Sequence, residues 1–97
     1  MPTSQTDTAL LQFFCGLANE NRQKILFSIF IDKQEHTVGE IAQRMGLAPS
    51  TTSTHLTQLK RAGILTSEKR NKEVYYSVNK ASLQTFLQQV QTWLTCC

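Results

Sequence analysis

Val38-Gly39-Glu40-Ile41-Ala42-Gln43-Arg44-Met45-Gly46-Leu47-Ala48-Pro49-Ser50-Thr51-Thr52-Ser53-Thr54-His55-Leu56-Thr57-Gln58-Leu59-Lys60-Arg61-Ala62-Gly63 reads as two short helices with a tight turn between them. Val38, Ile41, Ala42 and Met45 recur at helical spacing and stop at Gly46, a residue suited to the position just past a helix end. Pro49 follows almost at once, and proline belongs in a first helical turn, where its missing N–H leaves nothing unpaired. Leu56, Leu59 and Ala62 then share one face, and Gly63 closes the second helix. Two helices joined by a glycine-containing turn form the helix-turn-helix pattern.

The exposed start of the second helix is unusual. Ser50, Thr51, Thr52, Ser53, Thr54 and His55 place six hydroxyl or imidazole side chains in a row. Serine and threonine are weaker helix formers than the Glu, Lys and Ala of an ordinary surface helix. Short polar side chains near a helix N-terminus are what entry into a major groove requires, since base edges and phosphates then lie within reach.

Outward from this core, the upstream chain carries two more apolar stripes. Leu10, Phe14 and Leu17 form one row of a first helix, and Leu11, Cys15 and Ala18 the next. Ala18-Asn19-Glu20-Asn21 interrupts it, with Asn as an N-cap, and a second helix follows through Ile25, Leu26, Ile29 and Phe30. Asp32 to His36 is polar and reads as a loop. Downstream, Ile64-Leu65-Thr66-Ser67-Glu68 and Val74-Tyr75-Tyr76-Ser77-Val78 are β-rich and flank a basic tip, predicting a two-stranded hairpin. A last helix carries Leu83, Phe86, Leu87, Val90, Trp93 and Leu94, and Cys97 if it continues that far, opposite a face of glutamines. Residues 1–7 read as a loose tail and 8–97 as one domain. The fold class is mainly α with a small β-hairpin.

The 97 residues fit one domain with an ordinary 40% hydrophobic content and a net charge of +3. A chain of this size buries only about two-thirds of its unfolded surface, so a second subunit would help hide its apolar stripes. Charge is more telling in its distribution. Five of the ten Lys/Arg residues (Lys60, Arg61, Lys69, Arg70, Lys72) fall within residues 60–72, where Glu68 is the only acid. Such a cluster suits phosphate, although a solvated face is the commoner use of any charge run. No stretch approaches a signal peptide or membrane span, which leads to an expectation of a cytoplasmic protein without membrane contact. Three cysteines, an odd number, argue against a disulfide framework. There is no Gly-rich phosphate loop, no catalytic zinc spacing and no nucleophile–histidine–acid set, so an enzyme is not expected and no cofactor is required.

The segment from Gly39 to Leu65 resembles the core of the ArsR/SmtB family of bacterial repressors. Leu17-Ala18-Asn19-Glu20-Asn21-Arg22-Gln23-Lys24-Ile25-Leu26 resembles the family's opening segment, and Val74-Tyr75-Tyr76-Ser77-Val78 its second wing strand. The likeness covers roughly residues 9–95. It implies a winged helix-turn-helix, homodimeric through its first and last helices, bound to a near-palindromic double-stranded operator. It places Ser50, Thr51, Ser53, Thr54 and His55 toward DNA, with Thr52 where the family usually buries a valine. Lys60 and Arg61 would approach phosphates at the helix end, and Lys69, Arg70 and Lys72 would lie along the backbone or minor groove. Pro49 stands where the family often has a polar residue such as Gln. Tyr75 and Tyr76 are read as packing the hairpin.

The same resemblance frames the effector. The Cys-Val-Cys of the arsenic and cadmium branch has no counterpart in His36-Thr37-Val38-Gly39-Glu40, and the final helix lacks the Asp and His of the zinc and cobalt branch. His36 and His55 are read as a loop residue and a DNA-facing residue rather than ligands. Cys15, Cys96 and Cys97 remain, on helices the family uses for dimerisation. Three thiolates suit As(III) or Sb(III), with Cd(II) or Pb(II) behind. A redox or reactive-sulfur sensor using the same thiols is the alternative, as is a dimer with no cysteine-based effector.

Overall fold

The computed structural model describes residues 5–96, and the side chains of residues 8–92. Helix α1 (Gln5–Leu17) begins before Thr8, taking in residues that the sequence assigns to the tail. Helix α2 (Glu20–Lys24) runs on through a π-helical segment, Ile25–Ile29, and a 3-10 turn, Phe30–Asp32. Asn19 caps α2, its side chain accepting from the Arg22 N–H at 3.1 Å. The last carbonyls of α1 are satisfied from α2: Arg22 donates to Gly16 O at 2.7 Å and Cys15 O at 3.2 Å, and Gln23 to Leu17 O at 2.6 Å. Those oxygens lie at a helix end and have no partner within the helix.

A two-residue strand, β1 (His36–Thr37), leads into α3 (Val38–Met45). Thr37 caps α3 by accepting from the Glu40 N–H at 3.2 Å. Gly46 ends α3 at φ 68°, a left-handed conformation that costs a residue with a Cβ but not glycine. Helix α4 (Pro49–Arg61) follows with its proline in the first turn. Strands β2 (Leu65–Arg70) and β3 (Glu73–Val78) form the hairpin, turning through Asn71 at φ 56°. Helix α5 (Lys80–Cys96) starts at Asn79, whose side chain accepts from the Ser82 N–H at 3.3 Å.

The wing is a three-stranded antiparallel sheet in the order β1-β3-β2, so the expected two-stranded hairpin gains an edge strand. His36 pairs with Tyr76 and Thr37 with Tyr75. The stretch read as a loop therefore ends in a strand. With only two residues, it has no alternation that periodicity could detect.

Ile25, Ile29, Ile41, Leu56, Leu59, Ile64 and Leu65 form the centre of the core, each at most 1% exposed. Phe13 of α1 and Phe86 of α5 stack nearby with ring centroids 4.7 Å apart. The buried row of α1 is Phe13 with Gly16, flanked by half-buried Leu10 and Leu17; Phe14 and Leu11 lie outside it. Gly16 permits a close crossing: a Cβ there would meet the Ala62 Cβ at 2.4 Å, so α1 rests directly on the end of α4. Phe14, Leu11 and Leu87 stay 48–65% exposed.

Candidate nucleic-acid interface

Helix α4 divides its side chains sharply. Thr52, Leu56 and Leu59 are buried, whereas Ser50, Thr51, Ser53, Thr54, Gln58, Lys60 and Arg61 are exposed. Thr52 is fully enclosed, and its hydroxyl donates to Ala48 O at 3.0 Å, which makes a buried polar side chain tolerable. Thr54 donates to Ser50 O at 3.1 Å and keeps its oxygen lone pairs available. The exposed face thus carries hydroxyls at its start and cations at its end, and the helix contains no acid.

His55 is not a plain member of this face. It is half-buried, and its Nδ1 is enclosed with no hydrogen-bond partner among the described residues. Burial first, and the charge of Arg22 second, hold its imidazole below the ordinary histidine value. It therefore stays neutral at neutral pH, with a ring that packs more than it projects.

The wing carries its cations differently. Lys69 and Lys72 are exposed, with no ion pair among the described residues. The Arg70 guanidinium is ion-paired with Glu35, lies 3.4 Å from Glu68 and sits 4.1 Å above the Tyr75 ring. Tyr75 in turn donates to Glu73 at 3.1 Å, and Tyr76 is buried. Three carboxylates thus accompany the three wing cations: Glu35 and Glu68 lie against Arg70, and Glu73 accepts from Tyr75. Sequence reasoning missed Glu35, since its pairing depends on β1 bringing the segment before it alongside the hairpin.

Cys15 is exposed and lines a cleft of about 210 Å³ with Gln12, Gly16, Gln58, Arg61 and Ala62. It therefore sits against α4. The Cys96 side chain and the whole of Cys97 lie outside the described residues, as does the Trp93 side chain. No set of three His, Cys, Asp or Glu side chains that could hold a metal ion occurs among the described residues.

His36 also differs from its sequence reading. It is buried, not a solvated loop residue, and both ring nitrogens face carboxylates, those of Asp32 and Glu40. The spacing Asp32, His36, Glu40 was visible in the sequence, but its meaning depends on the turn that folds it together.

A helix-turn-helix whose second helix exposes hydroxyls and cations, beside a three-stranded wing, defines a winged helix-turn-helix DNA-binding regulator, not an enzyme. The chain belongs to the arsR family of bacterial regulatory proteins, whose pattern matches residues 19–67. It is similar to the cadmium resistance transcriptional regulatory protein CadC of Listeria innocua, with 34% identity over 76 residues. That alignment covers 78% of this chain and 63% of the relative, so the chain spans less than two-thirds of that protein's length. It is also similar to the transcriptional repressor SdpR of Bacillus subtilis, 30% identical over 71 residues, 73% of this chain and 77% of SdpR. Among solved structures it matches the homodimeric winged helix-turn-helix domain Mb0332 of Mycobacterium bovis. There the TM-score is 0.73 and the identity 24%, covering 95% of this chain and 87% of that one. No helix among the described residues is long and apolar enough to cross a membrane.

Proposed function

We propose that the protein is a homodimeric repressor that holds a near-palindromic operator through Ser50, Thr51, Ser53, Thr54, Lys60 and Arg61, with Lys69 and Lys72 of the wing on the flanking backbone. The observation that carries this reading is the acid-free outer face of α4, hydroxyls first and, last, cations with no ion pair among the described residues. His55 contributes through packing and Arg70 through wing architecture more than through direct contact, given their surroundings. Repression follows the likeness to SdpR, and dimerisation the likeness to the Mycobacterium bovis domain. The exposed Leu11, Phe14 and Leu87 give a dimer apolar surface to bury. The test begins with a duplex selected from a random pool by the wild-type protein. Thr54→Ala should weaken binding to it by about 1–3 kcal/mol and leave binding to random DNA nearly unchanged. Equal losses on both would remove Thr54 from base recognition.

The proposed effector is As(III) or Sb(III), bound by Cys15 together with Cys96 and Cys97. Thiolates suit such soft ions, and Cys15 lies where a bound ligand would touch Gln58 and Arg61 of α4. The similarity to the cadmium resistance regulator CadC keeps Cd(II) among the candidates. Titration of the protein–DNA complex with As(III), Cd(II), polysulfide and an oxidant tests this. Release by As(III) that each Cys→Ser variant abolishes supports it. Release by polysulfide or oxidant alone makes the site a sulfur or redox sensor, and As(III) release with all three thiols absent sinks it.

A further inference from the structure

His36 is 6% exposed, with its ring edge-on to Phe30 at 5.2 Å between centroids. Its Nδ1 lies 2.6 Å from Glu40 Oε2, and its Nε2 lies 3.0 Å from Asp32 Oδ1. Ionised carboxylates only accept hydrogen bonds, and a neutral imidazole has a single N–H to donate. A neutral ring would aim a lone pair at one of the two carboxylates. The imidazolium, with an N–H on each side, satisfies both.

The two acceptors come from different elements. Asp32 closes the 3-10 turn after α2, and Glu40 lies in the first turn of α3. The charged ring therefore joins α2 to the helix on which α4 is built. Arg44, one turn further along α3, extends the join, reaching Glu40 and Ser28 O at 3.4 Å each. From the sheet, Tyr76 of β3 is the cross-strand partner of His36, and neighbouring Glu35 is occupied by Arg70. The two carboxylates approach opposite ring nitrogens, so they cannot chelate one metal ion with the histidine.

We propose that His36 is a positioning residue for DNA binding: its protonated ring seats α3 on the end of α2, and affinity for DNA falls when that proton is lost. Glu40 belongs to the same helix as Ile41 and Ala42, which enter the core beneath α4. Loosening the start of α3 releases the platform on which α4 is presented. DNA responds to that change because it binds the seated form better, and only differential affinity can couple the two events.

Burial opposes the charge on His36 most strongly, but the hydrogen bonds its ring donates to Asp32 and Glu40, together with the charges of those carboxylates, outweigh it and raise the imidazole above its ordinary value of 6.5. The clamp is thus complete below pH 6.5 and lost as pH rises through that higher folded-state value. His55 is displaced the opposite way, so any step it contributes falls below 6.5.

The experiment measures affinity for the selected duplex from pH 5.5 to 9 beside NMR titration of both histidine rings. Wild-type affinity should drop about fivefold or more, with a midpoint that coincides with the His36 titration. His36→Gln should flatten the profile near the wild-type high-pH affinity, while His55→Gln should keep the step. Asp32→Asn retains the ring but removes the negative charge facing its Nε2, so it should move the affinity midpoint and the His36 titration down together. This second variant carries the test if His36→Gln does not fold. A flat wild-type profile while His36 titrates overturns the proposal, as does a step that survives His36→Gln. If no duplex is selected, DNA binding itself fails, and the proposal falls with it whatever His36 does in the NMR spectrum.

Discussion

Lys60 and Arg61, at the end of α4, stand exposed with no ion pair among the described residues, whereas Arg70 in the wing is held by Glu35, Glu68 and the face of Tyr75. In the sequence these residues form one basic cluster. In the fold they are two surfaces of different character. The helix end presents positive charge to whatever approaches, and the dipole of α4 favours cations at that end. The wing spends its arginine on internal order, and its three cations share the surface with Glu35, Glu68 and Glu73. A run of Lys and Arg therefore measures charge present, not charge presented. The helix end should dominate the electrostatic part of DNA binding, with the wing contributing through Lys69 and Lys72.

The comparison also predicts unequal mechanical support, and the largest effect lies there. Leu59 is fully buried on the inner side of the turn that carries Lys60 and Arg61. Leu59→Ala should cost about 2–5 kcal/mol of stability in urea unfolding. Val74, half-buried on β3, should cost about 1 kcal/mol on truncation to Ala. Equal losses would mean that the wing is as firmly seated as α4, and the distinction between the surfaces would weaken.

A smaller effect separates the charges themselves. Lys60→Ala with Arg61→Ala should lower the salt slope of binding by ~1.8 units per protomer if both touch phosphate. Lys69→Ala with Lys72→Ala removes the same charge from a surface that keeps Glu68 and Glu73, and should lower it by about half as much. A larger loss in the wing pair would reverse the assignment of the main phosphate contact.

Much of the framework was legible because local chemistry marks it. Gly46 and Pro49 punctuate the turn, Asn19 caps α2, and the β-rich runs around the basic tip form the hairpin. On α4, helical spacing separated Leu56 and Leu59 from the exposed hydroxyls, whereas the burial of Thr52 was implied only by the family resemblance and the half-burial of His55 was not foreseen. What escaped depends on contacts between distant segments. β1 is too short for a period, and Glu35 meets Arg70 only because β1 joins the sheet. On α1, helical spacing permitted two rows, and Phe13 takes the core position because it meets Phe86. His36 looked solvated because its neighbours are polar. Those same neighbours, folded around it, are what allow a histidine to be buried charged.

The smallest expected effect is also the most direct test of the contrast, because it changes one charge without touching the exposed side chains of α4. Arg70 and Glu35 are ion-paired in the free protein, and the hydrogen bond from Arg70 holds the Glu35 carboxyl below its usual range. For Arg70 to grip a phosphate it must leave that carboxylate, so its contribution to binding is reduced by the interaction it gives up. Arg70→Gln should accordingly change the salt slope by less than about half a unit. Glu35→Gln should do more in the opposite direction, because it frees the guanidinium and leaves the wing with an excess positive charge. The slope should then steepen by up to about 0.9 unit, with tighter binding to every sequence. Folding stability should hardly move in either variant, since exposed ion pairs contribute little. A full unit lost in Arg70→Gln, with no gain in Glu35→Gln, would show that Arg70 exchanges its carboxylate for phosphate on binding. The wing would then join the helix end as a second charged contact, and the division between the two surfaces would hold only in the absence of DNA.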